Sequence, residues 1–123
     1  MNYKLPKNER LHSKKSIKEL FDKGSSFFLY PFKVLILESD LLETNQVLFS
    51  VSKKKIRKAV DRNFVKRRVK EAYRLNKHLL GDVSHDKKKL IALIYVSSDL
   101  DSFHKIQGRV QKILNRIAQP NKI

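Results

Sequence analysis

Between residues 59 and 80 the chain contains no Gly or Pro, and Val65, Val69, Ala72 and Leu79 return at the spacing of one helical face before Gly81 supplies a stop. A helix of that length with one apolar stripe must bury it against another layer, so the rest of the chain has to provide a flat apolar partner. Three runs qualify as strands. Residues 32–37 and 47–52 are rich in β-formers and are separated by a polar turn around Thr44 and Asn45. Residues 90–96 are continuously apolar and short, the pattern of a central strand buried on both faces. Residues 25–30 fit either a short strand or a loop with exposed aromatics. Two shorter amphipathic helices complete the pattern. The first is capped by Ser13, carries Ile17, Leu20 and Phe21 on one face, and ends at Gly24 with a left-handed stop. The last is capped by Asp101 and runs through Phe103, Ile106, Val110, Ile113, Leu114 and Ile117 to a terminator at Pro120. The sum is an α/β (α+β) chain without internal repeats or a low-complexity linker, read as one domain over residues 1–123.

Charge restricts the partner. Twenty-eight Lys and Arg against twelve Asp and Glu leave a formal +16, a self-repelling surface unless a polyanion is its normal neighbour. With 41% apolar residues, including seven Phe and four Tyr, the chain still has material for a core. The absence of Cys excludes disulfides, a cysteine nucleophile and a thiolate zinc site, and fits the cytoplasm. Residues 1–6 lack an apolar signal core, and no run approaches the roughly 20 apolar residues that cross a bilayer, so neither export nor a membrane partner is expected.

The cations are concentrated. Ten basic residues, Lys53, Lys54, Lys55, Arg57, Lys58, Arg62, Lys66, Arg67, Arg68 and Lys70, face one acid, Asp61, between residues 53 and 70. A merely solvated helix face mixes its signs to limit repulsion, and this one does not. Arg62, Lys66, Lys70 and Arg74 recur every four residues and predict a stripe along the helix that follows phosphates, with Asn63 and Arg67 beside it. No comparable concentration of catalytic groups exists. The histidines are His12, His78, His85 and His104, and only His78, Asp82, His85 and Asp86 lie close in sequence, around Gly81, where polar loop residues need no metal to explain them.

The order of residues then points to a family. Residues 51–74, with Val-Ser-Lys-Lys at 51–54, Ala-Val at 59–60, Arg62-Asn63, Lys66-Arg67, Lys70-Glu71 and Tyr73-Arg74, closely resemble the signature of the bacterial ribonuclease P protein family. Lys7-Asn8-Glu9-Arg10-Leu11, Ile17, Leu20, Phe21, Gly24 and Phe32 resemble the family's opening segment, so residues 6–75 match by motif and the remainder by pattern. Two positions depart: Phe64 stands where the family's Arg-Asn-Arg has its second Arg, and Lys70 where Arg is common. Phe64 reads either as core packing or as a stacking platform.

The resemblance implies a two-layer sandwich of a four-stranded sheet and about three helices, like the second domain of ribosomal protein S5, with a left-handed crossover against the usual hand. It implies that Lys53, Lys54, Arg62, Asn63, Lys66, Arg67, Arg68, Lys70 and Arg74 bind the catalytic RNA. It places Ile17, Phe21, Lys33 and Leu35 at a cleft for the 5′ leader of precursor tRNA, although Ile17 and Phe21 fit equally well as core residues of one amphipathic stripe. It implies no catalytic residue in the chain and magnesium held mainly by the RNA, with no cofactor bound tightly by the protein. A structural ribosomal protein shares the same composition. A DNA-binding regulator lacks its helix-turn-helix partner before Ala59, so DNA is not an expected partner, and a self-contained nuclease would cleave without RNA.

Overall fold

The computed structural model describes residues 3–81 and 88–118. Along the chain lie helix α1 (Lys14–Lys23), strands β1 (Ser25–Leu29), β2 (Phe32–Ser39) and β3 (Gln46–Val51), helix α2 (Ala59–Asn76), strand β4 (Lys88–Tyr95) and helix α3 (Phe103–Ala118). The four strands form one mixed sheet in the order β1-β2-β4-β3. Only β3 and β4 are parallel, and α2 lies in the connection between them. The stretch 25–30, open between strand and loop in the sequence, supplies edge strand β1.

Alternation sorts the side chains of the sheet. Phe32, Val34, Val47, Phe49, Ile91, Leu93 and Tyr95 form one core with Val65, Val69, Ala72 and Tyr73 of α2 and Ile106, Val110, Ile113, Leu114 and Ile117 of α3. The other face is covered in part by α1, where Leu20 meets Leu35, Leu90 and Ala92, with Leu11 beside them. Strand β4 is therefore buried from both sides, which is why its sequence is continuously apolar rather than alternating. Five α3 residues are buried at roughly 1.5–3 kcal/mol each, which makes that helix a structural anchor. Before α1, the Leu11 amide donates to the Val47 carbonyl at 2.9 Å, so the amino-terminal segment runs along the outer edge of β3.

The helix ends refine the sequence reading. Ser13 caps α1 as expected, its hydroxyl accepting from the Ser16 amide. Gly24, however, is extended rather than left-handed, at φ −69°. Space explains the residue: a Cβ there would meet the Leu20 carbonyl oxygen at 2.4 Å and that of Ile36 at 3.0 Å. Helix α2 stops at Asn76, its last turn tightens into a 3-10 turn over Lys77–Leu80, and Gly81 follows at φ 81°, the one conformation here that favours glycine. At α3 the cap is Ser102, not Asp101. Its hydroxyl accepts from the Lys105 amide and its carbonyl from that of Ile106. Asp101 instead offers its carbonyl to Arg68 and its carboxylate to Lys105. The expected terminator Pro120 lies outside the described residues.

Candidate nucleic-acid interface

The turn after β3 is held from within and charged outside. Ile56 is buried, its amide donates to Ser52, and the Ser52 amide continues the sheet onto the Tyr95 carbonyl at 2.9 Å. Arg62, one turn into α2, closes this segment by donating from Nη1 to the carbonyls of Ile56 at 3.0 Å and Arg57 at 2.6 Å. Lys53, Lys54, Lys55, Arg57 and Lys58 are consequently presented outward by a braced turn, and all five are exposed. The last three belong to the basic run but not to the expected contact set.

On α2 the expected contact residues divide into two groups. Asn63, Lys66 and Arg67 are exposed and Lys70 half-buried. Arg62, Arg68 and Arg74 are engaged with the protein itself. Arg68 stacks 4.0 Å over the ring of Phe64 and reaches the Asp101 carbonyl at 2.9 Å. Arg74 pairs with Glu71 at 2.6 Å and donates to the Tyr3 carbonyl at 2.8 Å, and the pairing holds the Glu71 carboxyl below its ordinary range. Steps of four residues advance about 40° beyond a full turn, so the stripe expected from Arg62 to Arg74 spirals around the helix rather than holding one line. Its ends, Arg62 and Arg74, are engaged with the protein, and of its middle Lys66 is exposed and Lys70 half-buried. Phe64 is 43% exposed and is no part of the core, which excludes the packing reading and leaves it as a surface platform for Arg68.

The opposite sheet face carries a second surface. Strand register aligns Phe28 with Lys33 and Lys33 with Ile94, so these three side chains form a row across the face that α1 partly covers. Phe28 and Lys33 are exposed, and the Phe28 ring lies 6.1 Å from that of Tyr30, whose hydroxyl donates to Ser97. Phe21 stands 51% exposed on α1, so it is not the core residue that its spacing also allowed. Ile17 packs partly buried against the α1 side of the sheet, and Leu35 is buried beneath the helix at 7% exposure. The four expected cleft residues thus share one side of the sheet, but Phe21 and Lys33 offer surface while Leu35 forms the floor. Phe28 and Tyr30 fall in the stretch read as a strand or a loop with exposed aromatics, but they were not among the expected cleft residues.

Among the described residues no group of three or more His, Asp or Glu side chains is placed to hold a metal ion. Of the polar cluster around Gly81, Asp82, His85 and Asp86 lie outside the described residues. No helix among the described residues is long and apolar enough to cross a membrane.

Fold and surface together define a small α+β protein with a braced, strongly basic turn leading into a basic helix. The chain belongs to the ribonuclease P protein family: residues 5–118 match the family described as Ribonuclease P. It is 42% identical over 118 residues to the ribonuclease P protein component of Porphyromonas gingivalis strain W83, covering 93% of this chain and 86% of that one. The component from Clostridium novyi is 31% identical over 119 residues, covering 91% and 96%. The solved ribonuclease P protein from Thermotoga maritima superposes with a TM-score of 0.72 at 25% identity, over 89% of this chain and 97% of the other. That from Staphylococcus aureus gives 0.70 at 26%, over 98% and 97%.

Proposed function

We propose that this chain is the protein subunit of ribonuclease P, binding the catalytic RNA through Lys53, Lys54 and α2 and the 5′ leader of precursor tRNA through the α1 side of the sheet. The observation that carries the reading is the separation of two surfaces by the sheet: a cationic turn and helix on one side, exposed aromatics with Lys33 on the other. The first suits a structured RNA met through its phosphates. The second suits a single strand, whose unpaired bases stack on aromatic rings while a nearby ammonium meets the backbone. In this reading magnesium held by the RNA supplies the activated water, and the protein's residues grip substrate and relieve the repulsion between two polyanions. The reaction is endonucleolytic removal of the leader, in the cytoplasm.

The test combines purified protein with a bacterial ribonuclease P RNA and precursor tRNA at low magnesium. Leader removal should appear only when protein and RNA are both present. Cleavage by RNA-free protein that survives repurification, or no stimulation of the RNA, overturns the reading.

A further inference from the structure

Helix α3 carries Lys105, Arg109, Lys112 and Arg116 and no acidic residue. Its buried stripe faces the sheet, and its flank toward α2 is fixed by a polar latch. Buried Asn76 donates to the Gln107 side chain at 3.0 Å and accepts from Gln111 at 3.0 Å. What remains outside is an open hollow of about 270 Å³ lined by His104, Lys105, Gly108, Arg109 and Lys112. Of these, Lys105 has a carboxylate partner, Asp101, at 3.5 Å, and its side chain is still 58% exposed. Cations spaced four apart repel one another along a helix, and nothing else on α3 offsets that repulsion.

Gly108 is the second observation. Glycine inside a helix costs stability relative to alanine, and it is normally retained where a neighbour comes too close for a Cβ. Here a Cβ would meet nothing within 4 Å among the described residues, so none of them requires the glycine. It leaves the floor of the hollow bare, where backbone and cations are open to a ligand that needs close approach. The latch through Gln107 and Gln111 fixes the backbone that forms this floor against α2.

We propose that the outer face of α3 is a further RNA-backbone site, in which Lys105, Arg109 and Lys112, with His104, grip phosphates lying over Gly108. It extends the reading of the chain as a ribonuclease P subunit and rests on it for the identity of the RNA. The site is separate from the α2 surface and reaches toward it at one point: Asp101, which takes Arg68 through its carbonyl and Lys105 through its carboxylate.

The experiment measures salt-dependent binding with two probes, the catalytic RNA mixed with protein and precursor tRNA mixed with the assembled holoenzyme. The Arg109→Ala/Lys112→Ala variant should lower the log–log salt slope by roughly 0.7–0.9 per lost phosphate contact for one of the two probes, which identifies the RNA that lies on α3. Gly108→Glu should weaken binding of the same probe, whereas Gly108→Ala should raise the melting temperature and bind more tightly than Gly108→Glu. Melting temperatures of the double variant at or above that of the wild type separate binding from folding. Unchanged affinity and slope for both probes overturns the proposal. Wild-type protein that fails to stimulate leader removal at low magnesium would instead overturn the function on which it rests.

Discussion

Arg68 holds its guanidinium 4.0 Å above the ring of Phe64, one turn earlier on α2, while the same group donates to the Asp101 carbonyl at the start of α3. The ring replaces a family arginine, yet it does not withdraw into the core. It holds a neighbouring arginine flat, and a guanidinium stacked in this way keeps its other planar face for a base and the rest of its N–H edge for a phosphate.

Phe64→Ala should therefore cost little stability, about 1 kcal/mol or less, as expected for a cation–π contact at a partly exposed site. RNA affinity should fall more than stability does. Phe64→Arg restores the family's pattern and should steepen the log–log salt slope by roughly 0.7–0.9 through one added phosphate contact. If Phe64→Ala binds the catalytic RNA with wild-type affinity and slope, Phe64 serves the α2–α3 junction alone.

Arg62 and Arg67 both sit in the basic segment but should fail differently. Arg62→Ala removes two hydrogen bonds to the Ile56 and Arg57 carbonyls and releases the turn that displays Lys53 and Lys54. One of those bonds is exposed, so the expected loss is about 1–2 kcal/mol, or a melting temperature lower by several degrees. Arg67 is exposed, and Arg67→Ala should stay within about 0.5 kcal/mol of wild-type stability while weakening RNA assembly. Calorimetry beside RNA titration separates them. Equal stability of the two variants would show that the Arg62 brace does not hold the turn.

Periodicity located the three helices and strands β2, β3 and β4, because each depends on local spacing and on one or two buried faces, and left β1 open between strand and loop. It did not distinguish cations that meet solvent from cations that brace the fold: Arg62 and Arg67 look alike in sequence, and only the carbonyls of residues 56 and 57 separate them. Gly24 illustrates the same limit. Its place after a helix suggested a left-handed stop, whereas the requirement comes from the close approach of the Leu20 carbonyl and of the Ile36 carbonyl twelve residues later. The place of Phe28 in a row with Lys33, and through Lys33 with Ile94, was hidden because only strand register brings the three together.

The two buried tyrosines should each make the fold less stable in alkali. Burial, with the negative charge of Glu9 as a lesser cause, pushes the Tyr73 hydroxyl well above its ordinary value of 10.0. Burial and then nearby Asp101 push Tyr95 up to about 12 from 10.0. Above pH 10 the unfolded chain releases protons that the folded chain retains, so stability falls as pH rises. Tyr95 contributes up to about 1.4 kcal/mol per pH unit between pH 10 and 12 and almost nothing below that window. Tyr95→Phe should lose stability at neutral pH, since its hydroxyl donates to the Asp99 carbonyl at 2.7 Å, but should show a shallower decline in alkali. Denaturant titrations from pH 8 to 12 check this, and parallel declines for wild type and variant would contradict it.

The leader surface offers the sharpest separation of binding from folding, because Phe21 and Phe28 are about half exposed and neither belongs to the buried core. Phe21→Ala and Phe28→Ala should each melt close to the wild type. If a leader base stacks on either ring, the holoenzyme carrying that variant should lose about 1–3 kcal/mol in affinity for precursor tRNA. Mature tRNA has no leader and supplies the internal control, so its affinity should not change. Lys33→Ala should instead reduce the salt dependence of precursor binding, because an ammonium meets phosphates and not base faces. Leu35→Ala is the contrasting case. Its side chain is buried under α1, so it should lose about 2–5 kcal/mol of stability, and any binding defect should follow unfolding. Equal losses for precursor and mature tRNA with Phe28→Ala would remove the row of Phe28, Lys33 and Ile94 from the leader path. Loss confined to precursors, growing as the leader is lengthened until the row is filled, would place successive leader nucleotides along β1 and β2.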